Sequence, residues 1–229
     1  MLWNLKQRQT LKIKTTNRVK ELKNSMNGDT NMRVLVACEY SGIVRDAFIK
    51  CGHDATSCDL LPSDRPGPHY QGGVFDIINN NWDLMIAHPP CTYICNSSAK
   101  HLYRDKAKIN GKDEERWQLM KEGALFFKRL WETNIPKIAI ENPIMLGYAK
   151  KIIGCDYSQI VQPWMFGHNE TKATCLWLKN LPLLKPTNIV QGREQRIWKM
   201  GPSKDRSKLR SKTYKGLAEA MASQWSDII

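Results

Sequence analysis

The chain predicts a doubly wound α/β fold, a mostly parallel sheet with a late antiparallel hairpin, and three observations carry that reading. The segments Met32–Ala37, Trp82–Ala87 and Ile135–Ile140 are short apolar runs, the pattern of strands covered on both faces. Stretches with a helical repeat lie between them. After them Gln159–Gln162 and Thr174–Leu178 read as the two arms of a hairpin.

Residues 1–31 are polar, lysine-rich and end in Asn27-Gly28-Asp29, so they read as a flexible basic extension ahead of a single domain over 32–229. Met32–Ala37 is the first buried strand. A tight Ser41-Gly42 turn follows, and Ile43 to Lys50 places Ile43, Ala47 and Phe48 at helical spacing until Cys51-Gly52-His53 stops it. Ala55–Cys58 is a second strand that delivers Asp59. Leu61 to Gly73 holds three prolines and three glycines and reads as an irregular loop before a short element, Val74–Ile78. The strand Trp82–Ala87 leads into His88-Pro89-Pro90-Cys91. Beyond it a polar loop, Thr92 to about Gly111, reads as mobile and lying over the site. Asp113 is placed to cap a helix over Glu114–Glu132, whose Trp117, Met120, Ala124, Phe127, Leu130 and Trp131 form a core-facing stripe. Ile144–Lys151 and Leu217–Trp225 are further helices.

A length of 229 residues suits one full core. No apolar run reaches the roughly 18 residues that span a bilayer, and the basic N-terminus lacks a signal peptide's apolar stretch. Seven cysteines without framework spacing imply free thiols in a reducing cytoplasm. They also offer no Cys-Xaa-Xaa-Cys pair, and the five histidines are scattered, so no metal site is expected.

The net charge of +13 is unevenly distributed. Residues 1–31 carry about +5 and 185–215 about +8, whereas 32–184 carry only about +2. Two basic segments flanking a nearly neutral body are the footprint of phosphate-backbone binding, and DNA is the expected partner.

Cys91 and Glu141 stand at the carboxyl ends of two expected parallel strands, where open α/β sheets place their ligands. Pro89 and Pro90 stiffen the turn that holds the thiol. Pro-Pro-Cys after a hydrophobic strand, then Glu141-Asn142 at the end of a later one, resembles the DNA cytosine-5 methyltransferases. Closer still is the likeness to small methyltransferase-like proteins of bacteriophages and prophages, running from about Met32 to the C-terminus. The resemblance implies a Rossmann-like fold, S-adenosyl-L-methionine as cofactor and the cytoplasm of a bacterial host. It makes Cys91 the nucleophile at cytosine C6, Glu141 the group at ring N3, Asn142 a loop holder and Pro90 a positioner of the base. The family has a small residue where this chain has His88, which reads either as electropositive help to the thiol or as a loop hydrogen bond.

A strand, the Ser41-Gly42 turn, a helix and Asp59 at the next strand end form a nucleotide-binding arrangement, in which the acid holds ribose hydroxyls or merely caps a turn. By resemblance Glu39, Ser41 and Gly42 lie in the cofactor loop, with Glu39 facing the sulfonium. Asp76 is the acid available to the adenine amino group or to the following turn. Ser211 matches the start of the family's last motif, which returns to the cofactor. No arginine occupies the family's base-contacting segment, and Lys172 or His168 stands in its place. Residues 183–210 replace a separate recognition domain. Arg193, Arg196, Lys199, Arg206 and Arg210 in that stretch are expected to grip phosphates, and a strict recognition site would call for a specificity partner or further readout elements. Three other readings compete: an amino-group methyltransferase, modification of a free pyrimidine nucleotide or RNA, and a catalytically silent nucleic-acid-binding protein.

Overall fold

The computed structural model describes residues 31–105 and 107–226. At the centre, β1 (Arg33–Ala37) pairs in parallel with β2 (Asp54–Asp59) on one side and β4 (Leu84–Ala87) on the other. The short β3 (His69–Gln71) extends the sheet beyond β2, and β5 (Lys137–Pro143) runs parallel to β4. Then the direction changes: β7 (Thr174–Lys179) is antiparallel to β5, and β6 (Gln159–Val161) antiparallel to β7. The order β3-β2-β1-β4-β5-β7-β6 makes the Rossmann-like sheet with an antiparallel end that the sequence led us to expect.

Helices cover both faces. On one face α1 (Ile43–Lys50) and α7 (Lys215–Ser226) pack Val44, Phe48, Leu217, Met221 and Trp225 against Val34, Val36, Leu84 and Ile86. On the other, α3 (Glu114–Trp131) and α4 (Gly147–Ile153) set Met120, Phe127, Leu130 and Ala149 on Leu35, Met85, Ile138 and Ile140. Successive strand residues alternate between these clusters, which is why the central strands read as unbroken apolar runs. Each fully buried large apolar side chain, such as Phe48 or Leu130, contributes about 1.5–3 kcal/mol. The start of α7 lies so close to the chain before β7 that a Cβ on Gly216 would come within 1.9 Å of Phe166 O, so only glycine fits there. Asp113 caps α3 as expected, accepting from Arg116 N at 3.0 Å.

Three local expectations need correction. The Leu61–Gly73 loop contains β3, whose pairing is anchored by Ser57 Oγ at 2.9 Å from His69 Nδ1. The helix expected from Ile144 begins at Gly147. Ile144 and Met145 stay extended, because Ile144 O accepts from Asn96 N and Met145 bridges Cys95. The Thr92–Gly111 loop is anchored rather than free: Ile94, Ser98 and Leu102 are buried, and Asn96–His101 form a 3₁₀ turn. A short α2 (Val74–Ile77) fills the Val74–Ile78 element, and α5 (Arg196–Lys199) and α6 (Arg206–Ser211) lie in the basic segment before α7. The expected N-terminal extension lies outside the described residues. Among those described, no helix is long and apolar enough to cross a membrane, and no cluster of metal-ligating side chains occurs.

Candidate active site

Register brings the two key strand ends together. Ala87 of β4 faces Ile140 of β5, so the next residues, His88 and Glu141, emerge side by side. His88 Nδ1 lies 2.7 Å from Glu141 Oε2, with side-chain exposures of only 10% and 9%. Burial pushes the Glu141 carboxyl up, but Lys172 and His88 outweigh it and hold it down at about 2, so Glu141 is an anion. Asn142 Nδ2 donates to Pro89 O at 3.2 Å and ties β5 to the turn before Cys91. Pro90 is exposed on that turn. His88 Nε2 and Asn142 Oδ1, by contrast, are buried without a hydrogen-bond partner among the described residues. Trp117 Nε1 and Trp177 Nε1 share that condition, but only here do two such atoms lie beside an anionic carboxylate and a thiol.

Cys91 is partly exposed at the mouth of the turn. Cys95 N donates to Cys91 O at 3.0 Å, a single helical turn that puts the two thiols on one side. The Cys91 thiol, together with Ser97 and the backbone at Ser98 and Cys95, outweighs burial and lowers Cys95 to about 5. Cys91 is pushed up by Cys95, by burial and by Glu141, with Lys172 opposing. The two thiols thus form one interacting pair, and the first proton lost belongs to the pair. Lys172 acts on both Cys91 and Glu141 while its Nζ donates to Arg210 O at 3.1 Å. His168 takes no part here: its Nε2 accepts from Gly216 N at 3.1 Å and its ring packs on Tyr214, fixing the start of α7.

The ends of β1 and β2 form the second half. Glu39, 4% exposed, accepts from Ser41 Oγ (2.9 Å), Val44 N (2.8 Å) and Arg45 N (3.4 Å). It is the cap of α1 instead of an outward-facing acid. Gly42 has φ 68°, and a Cβ there would meet Arg45 Nη2 at 2.5 Å. Arg45 is fully buried and pins the Leu61–Pro68 loop through Ser57 and Ser63 Oγ (each 3.2 Å) and Pro66 O (2.9 Å), besides its ion pair with Asp46 at 2.7 Å. Asp76 Oδ2 accepts from Gly73 N (3.1 Å) and Tyr70 OH (3.2 Å), so of its two expected roles it takes the turn cap. Asp59 is half-buried, receives Leu61 N at 2.9 Å on Oδ1, and has the 75%-exposed Leu60 beside it. Ser211 Oγ lies 3.2 Å from Tyr40 OH, which also donates to Lys208 O at 2.6 Å, so α6 does return to the loop after β1. A carboxylate beside an exposed apolar side chain at the end of β2 fits the ribose and adenine of an adenosyl cofactor. Nothing comparable is left open at the buried Glu39, whereas Asp76, like Asp59, caps a turn through one oxygen and stays accessible.

Much of the expected phosphate grip is used internally. Arg196 pairs with Glu170 at 3.0 Å, Arg206 Nε donates to Met200 O at 2.9 Å, and Arg193 lies over the Trp164 ring at 3.9 Å. Lys208 and Lys212 both bind Asp64, at 3.0 and 2.8 Å, and hold its carboxyl below the usual range. Lys199, Lys204 and Trp198 remain exposed. The sequence reading missed a second basic surface: Lys100, His101, Arg104 and Arg116, with Asp105 and Asp113, line a cleft of about 440 Å³ after the Cys91 turn. Pooling charge over 32–184 concealed it; a shorter window over 100–112, with five Lys/Arg against Asp105, reveals it.

No family model and no curated protein matches this chain. Among solved structures, the chain is similar to a methyltransferase of Entamoeba histolytica, with 18% identity and a TM-score of 0.41. The match covers 72% of this chain and 57% of that one, so the chain spans little more than half of its neighbour's length.

Proposed function

We propose that this protein transfers a methyl group from S-adenosyl-L-methionine to C5 of cytosine in DNA through a covalent adduct at Cys91. The observation that carries the reading is the placement of Cys91 and an anionic Glu141 at adjacent parallel strand ends, with Lys172 acting on both. Cytosine C5 is too weak a nucleophile to take a methyl group unaided. Addition of Cys91 at C6 makes the ring enamine-like, and Cys95, one helical turn away, is the neighbour to take the proton Cys91 must lose. Glu141 sits at the ring N3 edge, Lys172 neutralises charge on the ring carbonyl, and Asn142 holds the Pro89-Pro90 turn. The cofactor supplies an electrophilic methyl on sulfur. Asp59 and Leu60 are the residues placed to hold its adenosine, with Tyr40 and Ser211 closing the loop.

The exposed Lys199 and Lys204 and the cleft lined by Lys100, Arg104 and Arg116 supply charge for the DNA backbone. The host cytoplasm is the compartment this reading requires. A catalytically silent nucleic-acid-binding protein is the second reading, favoured by the use of Glu39 and Asp76 as caps. Incubation with labelled cofactor and duplex DNA, single-stranded DNA, RNA and dCMP in parallel separates the possibilities. Label in duplex DNA is the expected result. Label confined to dCMP or RNA moves the substrate, and none anywhere, without cofactor binding by calorimetry, favours the silent protein.

A further inference from the structure

Glu141 raises a chemical difficulty that its neighbour resolves. Once a thiolate adds at C6 of the pyrimidine, negative charge collects on N3, which needs a proton. A carboxyl held down at about 2 has none to give at neutral pH. We propose that His88 and Glu141 act as one acid, with His88 as a positioning residue that stores the proton Glu141 presents to N3. This rests on the cytosine reading for its substrate, but the pair itself does not.

The geometry is specific. Strand register fixes the contact, the distance is 2.7 Å, and both side chains are about nine-tenths buried, so water does not compete for the shared proton. An imidazole's tautomer is set by the bond its other nitrogen makes, and His88 Nε2 makes none among the described residues. Glu141 is therefore the ring's one hydrogen-bond partner among the described residues. The other charge-capable groups facing the pair are Lys172 from the β6–β7 connection, Cys91 and Cys95 from the turn after β4, and Cys175 on β7. Lys172 is the cation among them and stabilises the state left when the pair has given its proton away.

The step balances. The S–C6 bond forms, the C5=C6 pair moves to C4–C5, and the C4=N3 pair moves to N3. The pair enters the step as imidazolium and carboxylate: the Nδ1 proton passes to the carboxylate while Nε2 keeps its own, and one proton passes from the carboxyl to N3, leaving a neutral imidazole and a carboxylate. When C5 takes the methyl group and the methyl's bond to the cofactor's sulfur breaks, its electron pair staying on sulfur, C4=N3 re-forms and N3 returns its proton to the pair. Removal of the C5 proton and expulsion of the thiolate then complete the turnover.

The test compares wild type with His88→Asn and His88→Gln, with folding of each checked by thermal melting. At pH 7.5 both variants should lose about 10²–10³-fold in kcat with KM changed less than about threefold, the range general-acid catalysis supplies. The deficit should shrink as pH falls, because the isolated carboxyl must be protonated first. Trapping by DNA containing 5-azacytosine, whose electron-poor ring needs less acid help, should be nearly normal. A loss uniform from pH 5.5 to 8.5, or equal for both rings, would reveal a purely structural role and overturn the proposal. If wild type methylates no pyrimidine, it is the cytosine reading that fails. The pair is then tested by the low-field NMR signal of a proton shared between His88 Nδ1 and the carboxylate. That signal should vanish in Glu141→Gln, and its absence from wild type would overturn the pair.

Discussion

At the ends of β1 and β2 the polar side chains of Glu39, Arg45 and Asp76 are engaged inside the protein, whereas at the ends of β4 and β5 two buried polar atoms have no partner among the described residues. Glu39, Arg45 and Asp76 serve the loop's own architecture. His88, Asn142, Glu141 and Lys172 form a cluster that is only partly matched. The contrast divides the sheet's carboxyl edge into a self-satisfied half, proposed for the cofactor, and a half that carries unmatched polarity, proposed for catalysis. A structural ion or cap stabilises the fold when present; an unmatched buried group costs stability and is tolerated where chemistry needs it.

Substitutions on the two sides should therefore behave differently. Cys91→Ser should lower methyl transfer by more than about 10³-fold while melting and cofactor affinity stay near wild type, since a hydroxyl is a far poorer nucleophile at neutral pH. Wild type, but not the variant, should give a denaturation-resistant adduct with DNA containing 5-fluorocytosine. Full activity in the serine variant would erase the proposed division, because the catalytic half would then hold no nucleophile at Cys91.

Arg45→Met tests the opposite half. It removes a fully buried cation that holds one loop, and denaturant unfolding should register a loss of about 3 kcal/mol. Glu39→Gln should cost about 1 kcal/mol, the scale of a lost helix cap. Glu141→Gln should show the reverse balance, with a large loss of turnover and a change in acid sensitivity. Because the folded carboxyl sits below its ordinary value, its stabilisation is complete above about pH 4.5 and is lost as pH falls towards 2. The variant's stability should therefore change less than wild type's across that interval. An equal slope for both proteins would show that Glu141 is not held as an anion.

Cys95 gives a smaller and sharper test. As the neighbour proposed to take the Cys91 proton, it should hold the acid limb of turnover below the free-thiol range in wild type. In Cys95→Ser that limb should move up towards the free-thiol range near ~8.5, with rates converging at high pH. An unmoved limb would separate Cys95 from the reaction.

The strands were legible in the sequence because the central sheet is buried on both faces, so Val34-Leu35-Val36 and Leu84-Met85-Ile86 advertise themselves as apolar runs. The β4 and β5 site residues were equally legible, since a parallel strand end fixes where Cys91 and Glu141 emerge. What the sequence hid was tertiary. His88 reads as an oddity until register sets it against Glu141 fifty positions away. Glu39 looks like a free acid in a loop, and only the backbone path turns it onto the α1 amides. Tyr40 gave no signal at all, because its partners on α6 lie about 170 positions downstream. The β3 strand was masked by flanking prolines and glycines, whose turn preferences dominate any short window.

The smallest expected effect concerns the basic segment, which the structure divides in a way that charge counting does not. Lys208 and Lys212 already face Asp64, and Arg196 faces Glu170, so moving them onto phosphate would exchange one anion for another. Lys199 and Lys204 are exposed and have no ion-pair partner among the described residues. Each phosphate contact contributes about 0.9 to the slope of log K against log salt. Lys199→Ala with Lys204→Ala should therefore flatten the slope of DNA binding by up to about 2 and weaken all sequences alike, because phosphate contacts carry no base information. Lys208→Ala with Lys212→Ala should leave the slope almost unchanged and instead loosen α6 from Tyr40, raising the dissociation constant for the cofactor more than that for DNA. Equal slope changes in the two double variants would mean that the whole segment leaves Asp64 and Glu170 when DNA binds, and the distinction between anchored and free cations would collapse.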